Sequence, residues 1–125
     1  AGYYLHIEPG GSFLAGGIYM PPSDILKRLR TDIYENIEEF KMIINNNDFK
    51  ECFKDMWGEK LKSAPRGFPK DFPDIELLKY KHYIVAKNVT EDELQDKDFL
   101  ETATRTFKII KPFNRFINNS IDFNP

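Results

Sequence analysis

The sequence predicts an α+β fold: a small, mainly antiparallel sheet opened by a β-hairpin, with helices packed on one face. Three patterns predict it. Tyr3 to Glu8 alternates, a glycine-rich turn follows, and Phe13 to Tyr19 returns as a second strand. Apolar residues then recur at three- and four-residue steps from Leu26 to Ile44. Further on, the β-rich run His82 to Val89 precedes a second helical stripe from Phe99 to Ile117.

In the first strand Tyr3, Leu5 and Ile7 point one way, and Tyr4, His6 and Glu8 the other. Pro9-Gly10-Gly11-Ser12 reads as the hairpin turn, because a glycine pair supplies the positive φ of tight turns. With Gly10-Gly11 as the turn, Leu5 faces Gly16, His6 faces Ala15, Tyr4 faces Gly17 and Ile7 faces Leu14. The alternation then predicts Leu5 and Ile7 buried under the next helix and His6 on the opposite face.

Pro21 and Pro22 stop the strand, and Ser23 is a good N-cap with Asp24 in the first turn. A helix follows over about 24–45, with Thr31-Asp32 as a place where it could restart as two. Asn45-Asn46-Asn47 ends it, and a short helix runs from Asp48 to about Lys54. Residues 55–73 are rich in Gly, Pro and Lys and read as a long loop, with Glu59 to Lys62 as a strand candidate. Pro73 opens a short helix from Asp74 to Leu78 or Lys79. Thr90 with Glu93 forms a capping box for a helix through Gln95. The last helix starts at Asp98. Its stripe takes in Phe99, Leu100, Ala103, Phe107, Ile110, Phe113 or Asn114, and Ile117. Pro112 is expected to kink or divide it, and Asn118 to Pro125 to fray.

A chain of 125 residues suits one domain, 1–125, and can bury a real core. The hydrophobic fraction of 41% and aromatic fraction of 14% are those of a globular chain. The formal net charge of −2 gives no basic excess, so nucleic acid is not indicated as an obligate partner. No apolar run approaches the ~20 residues of a membrane span. The single cysteine, Cys52, excludes an internal disulfide and suits a reducing, cytoplasmic setting as a small buried hydrophobe. Met20, Met42 and Met56 read as gap-filling core. The chain enters a strand almost at once and without an initiator methionine. That start is expected of a piece of a longer protein cut just before a strand, with an open strand edge prone to self-association.

Two places could carry chemistry. The first is a candidate pocket of Tyr4, His6, Glu8, Gly16 and Gly17. His6 and Glu8 share a strand face, and the glycines either leave a hollow for a ligand or mark tight packing of the sheet. The second is a candidate anion site of Lys60, Lys62, Arg66, Gly67 and Lys70, where four cations gather around a glycine. The alternative there is a solvated loop balanced by Asp71 and Asp74. No phosphate-loop, dinucleotide, paired-cysteine or zinc-protease motif occurs, so no cofactor and no metal is expected.

The stretches GYYLHIEPGGSFLAGGIYMPP, LKRLRTDI, EEFKMII, GEKLKSAPRGFPKDFPDIELLKYKHY and FLETATRTFKIIKPFNRFI resemble the DUF2461 family, a conserved hypothetical protein family. The resemblance covers essentially the whole chain. It implies a protein about twice this length, whose N-terminal half, with an Arg- and Lys-rich segment just before the first strand, this chain lacks. It implies no activity. The family-like positions are Tyr4, His6, Gly16, Gly17, Pro21, Lys60, Lys62, Pro65, Gly67 and Lys70. The function stays unknown on this reading. A soluble binding or interaction module comes first, an enzyme on an anionic or phosphorylated substrate second, and a nucleic-acid-associated protein third.

Overall fold

A computed structural model describes residues 1–53 and 56–122. Three strands form one antiparallel sheet in the order β1 (Gly2–His6), β2 (Phe13–Ile18) and β3 (Tyr83–Asn88). Five helices join them: α1 (Ser23–Glu35), α2 (Ile37–Ile44), α3 (Asn47–Cys52), α4 (Glu91–Gln95) and α5 (Phe99–Ile121). A 3-10 helix spans Ile75–Leu78. The α+β class stands, with the helices gathered on one face of the sheet.

The hairpin register differs from the expected one by two residues. Leu5 pairs with Leu14, Tyr4 with Ala15, Tyr3 with Gly16 and Gly2 with Gly17. The turn is set by Pro9 rather than by the glycine pair. The Gly11 N–H donates to the Glu8 carbonyl at 3.0 Å, and Gly10 takes φ 73. Proline before a positive-φ glycine is the type II pattern. Ser12 clasps the turn from inside, accepting from the Glu8 N–H and donating to the Glu8 carbonyl.

A shift of two keeps each side chain on its face, so His6 does lie on the face away from the helices. Burial of Leu5 and Ile7 does not follow. Leu5 is 46% exposed and Ile7 67%. β1 is an edge strand, and the helix packed across the sheet is α5, which lies over β2. Leu14, Ala103 and Val89 form a small cluster there.

The main core gathers Leu29 and Ile33 of α1, Phe40 of α2 and Phe49 of α3 with Leu78, Tyr83, Val85 and the inner face of α5. α1 ends at Asn36, four residues beyond the expected restart at Thr31-Asp32. The Asn36 amide folds back onto Asp32, a local bond that competes with helix continuation. Pro22 rather than Ser23 takes the N-cap position of α1. α3 is capped by Asn46, whose side chain accepts from the Asp48 N–H; its expected end at Lys54 falls outside the described residues.

Glu59 to Lys62 makes one isolated bridge, Lys60 with Tyr80, instead of a strand, and Trp57 before it bridges to Ile84 of β3. The expected helix after Pro73 is the 3-10 turn. Its neighbourhood is tied down by Arg30 donating to the Tyr80 carbonyl and Lys41 pairing with Asp74. Burial pushes the Tyr83 phenol well above its usual range, and its hydroxyl donates to the Leu77 carbonyl at 2.7 Å. The Thr90–Glu93 capping box forms as expected.

α5 runs unbroken through Pro112 to Ile121, neither dividing at Ile110 nor fraying from Asn118. Pro112 sits on the exposed face, so the Lys108 carbonyl that loses its helical donor can bond to water. Both Phe113 and Asn114 are buried; the Asn114 amide donates to the Gly2 carbonyl at 2.8 Å and holds β1 to α5. Leu100, expected in the stripe, is 78% exposed. Met42 and Met20 are exposed rather than core, whereas Met56 packs against the core and Cys52 is half-buried.

Candidate functional site

Strand alternation leaves one face of the sheet without helices. Tyr4 and His6 of β1, Phe13 and Ala15 of β2, and Ile84, Ala86 and Asn88 of β3 share it. Ala15 and Ala86 are register partners at its centre. Two methyl groups surrounded by larger side chains make a hollow. It has a volume of about 650 Å³, within the range of small-ligand sites.

One wall is aromatic. The Trp57 backbone N–H donates to the Ile84 carbonyl at 2.8 Å, which brings the indole from the loop to the sheet. Tyr19 stacks on His82 at 4.8 Å between centroids, and Trp57 lies 5.8 Å from Tyr19. The Met20 N–H donates to His82 Nδ1 at 2.9 Å, so the neutral ring carries its proton on Nε2. Met20 takes φ 47, a left-handed conformation rare for a side-chain-bearing residue, at the corner where this wall turns.

The opposite wall is polar. His6 stacks on Phe13 at 4.8 Å, and His6 Nε2 lies 2.8 Å from Glu8 Oε2. Both side chains are about half exposed or more. The nearby Ser12 hydroxyl is committed to the Glu8 backbone and so is not activated by the pair.

The expected pocket residues therefore divide. Tyr4 and His6 line the hollow and Glu8 stands at its rim. Gly16 faces α5, where an added Cβ would overlap Ile110. Gly17, at φ 121, lies against the Tyr83 backbone. Tyr4 leans along its own strand over Gly2 instead of crossing to Gly17. For both glycines of β2, close packing is the visible reason.

The cationic loop stands apart from this hollow. Lys60 pairs with Glu76 at 2.8 Å and lies 5.0 Å from the Tyr80 ring centre. Hydrogen bonds from Lys60 and then Lys79 hold the Glu76 carboxyl down to about 2. Lys62, Arg66 and Lys70 are exposed, and Gly67 takes φ 94. Asp74 serves Lys41 instead of the loop. Among the described residues no group of three or more His, Cys, Asp or Glu side chains could hold a metal ion.

Sequence reading did not single out Trp57, Tyr19, Ala15, Ala86 or His82 as parts of one surface. The usable signal was the pair of small residues inside two strands, Ala15 and Ala86, at positions where β-rich runs usually place bulk.

The fold and this face define an α+β protein with helices on one side of an antiparallel sheet and an apolar hollow on the other. The chain belongs to the DUF2461 family, described as a conserved hypothetical protein, whose family model matches residues 1–116. No curated protein and no solved structure matches it. Among the described residues no helix is long and apolar enough to cross a membrane.

Proposed function

We propose that the chain is a binding module of a reducing, cytoplasmic setting, whose working surface is the helix-free face of the sheet. Its ligand is apolar or aromatic and lies over Ala15 and Ala86. The carrying observation is where exposed apolar bulk collects. Of the nine large apolar side chains exposed among the described residues, Tyr4, Leu5, Tyr19 and Trp57 line this hollow. A fifth, Met20, sits at the corner of its aromatic wall. Concentration of this kind marks an interaction surface.

The enzyme reading needs His6 beside the cationic loop. The side chains around the hollow include none of Lys60, Lys62, Arg66 and Lys70, which favours binding over catalysis. Trp57 is the single tryptophan, so its fluorescence reports on the hollow directly. Titration with the apolar dye anilinonaphthalene sulfonate should give saturable quenching of Trp57 by energy transfer. Ala86→Glu, which puts a charge on the floor, should abolish it with the circular dichroism spectrum unchanged. Equal quenching in wild type and Ala86→Glu would place the dye elsewhere and remove this reading.

A further inference from the structure

On the far side of the molecule, α5 and the α2–α3 pair enclose a second groove of about 900 Å³. Its floor is apolar, with Ile43, Phe49, Ile109 and Phe116. Its α5 wall runs from Arg105 to Asn119, which at the helical rise is about 21 Å, or about four turns.

The two walls carry opposite charge. Arg105, Lys108 and Arg115 stand on α5; Glu39, Asp48 and Glu51 stand on α2 and α3. All six are exposed. None of them makes an ion pair with any described residue. The apolar floor lies between the two rows, and with no ion pair across it each row keeps its charge for something lying between. A nucleic acid would gain from one row and be repelled by the other. An elongated ligand with a sign on each edge satisfies both.

We propose that this groove docks one amphipathic helix of about four turns. That helix presents an apolar stripe to the floor, acidic side chains along the edge facing α5, and basic side chains along the edge facing α2 and α3. Because the edges differ in sign, the helix fits in one direction only. Met42, 76% exposed at the rim, extends the apolar contact.

The test uses three labelled helical peptides with the same leucine stripe and fluorescence anisotropy at low salt. One carries Glu on one edge and Lys on the other, one Glu on both, one Lys on both. The mixed peptide should bind about tenfold tighter than either of the others. Arg105→Glu with Lys108→Glu and Arg115→Glu makes both walls acidic and should move the preference to the all-Lys peptide. Should that triple variant fold poorly, Glu39→Lys with Glu51→Lys makes the opposite change and should favour the all-Glu peptide. An all-Glu peptide that binds wild type as tightly as the mixed one overturns the proposal. So does a single-stranded oligonucleotide that displaces the mixed peptide, and so does the absence of saturable binding by any of the three.

Discussion

Ile110 of α5 occupies the space that a side chain at Gly16 of β2 would need. A Cβ on Gly16 would overlap Ile110 Cγ2 and lie 3.1 Å from Cδ1. Both positions are buried, and the contact lies where α5 packs on the middle strand. The absence of a side chain at Gly16 therefore sets the helix-to-sheet distance, and through it the alignment of the strands whose other face forms the hollow. Gly16→Ala should cost roughly 1–3 kcal/mol by overpacking. Combined with Ile110→Ala, which alone should cost about 2–5 kcal/mol by leaving a cavity, it should cost less than the sum. Chemical denaturation of the two single variants and the double variant measures the coupling. Additive costs would mean that the two residues do not meet.

Glu76 supplies a pH expectation with a definite sign. Its carboxyl is held down to about 2, first by the hydrogen bond from Lys60 and then by that from Lys79, against 4.5 unperturbed. A carboxylate with a lowered folded value favours the native state above its unfolded value. That contribution is fully present above about pH 4.5 and is lost as the pH falls toward 2. The side chain is exposed, so the effect on stability is small and best read at the group itself. Carbon-detected NMR should place the Glu76 midpoint well below the other exposed glutamates. Lys60→Met should raise it, and an unchanged midpoint in that variant would remove Lys60 as the cause.

Much of the fold was legible because periodicity is local. The α1 and α5 stripes, the β3 run and the Thr90–Glu93 box each declare themselves within one stretch of chain. The hairpin shows where such reading stops. Gly10-Gly11 is a strong turn signal, yet Pro9 captures the turn and moves the register by two. The faces survive that shift and the pairings do not. The exposure of Leu5 was not legible because it depends on which helix lies over which strand. α5 is placed by Gly16, more than ninety positions before Ile110 in the chain. Continuity through Pro112 depends on its facing solvent, which the apolar stripe implies once Phe113 and Asn114 are both inside. The hollow was legible only in its β1 wall. Trp57 reaches it through a backbone bond to Ile84, and no spacing within residues 55–73 announces that partner.

The cationic loop should bind a small anion weakly and without Lys60. Lys60 is engaged by Glu76 and the Tyr80 ring, which leaves Lys62, Arg66 and Lys70 beside the open backbone at Gly67. Each solvated contact is worth about 0.2–1 kcal/mol, so three give a constant no better than about millimolar. A phosphate titration followed by amide NMR should move Lys62, Arg66, Gly67 and Lys70, with Lys60 still. Arg66→Ala should abolish those shifts. Silence at phosphate well above the millimolar range would make this stretch a solvated connector.

β1 should make the chain associate with itself. In the order β1-β2-β3 it has a strand neighbour on one side only. Tyr3, Tyr4 and Leu5 are each close to half exposed, on both faces of the strand, and Ile7 beyond them is more exposed still. An apolar edge with unpaired backbone groups is a template for another strand, and a second copy offers the same edge in antiparallel register. Asn114, by holding the Gly2 carbonyl, keeps that edge extended and ready to pair. Light scattering over a range of concentrations should show a monomer–dimer equilibrium. Leu5→Lys, a charge on the edge strand that costs little where the side chain is already half in water, should shift it to monomer. Asn114→Ala should weaken the dimer as well, and should speed hydrogen exchange at Tyr3 and Tyr4 even in dilute samples where no dimer forms. A chain that stays monomeric at every concentration would show that β1, although open, is not a pairing edge.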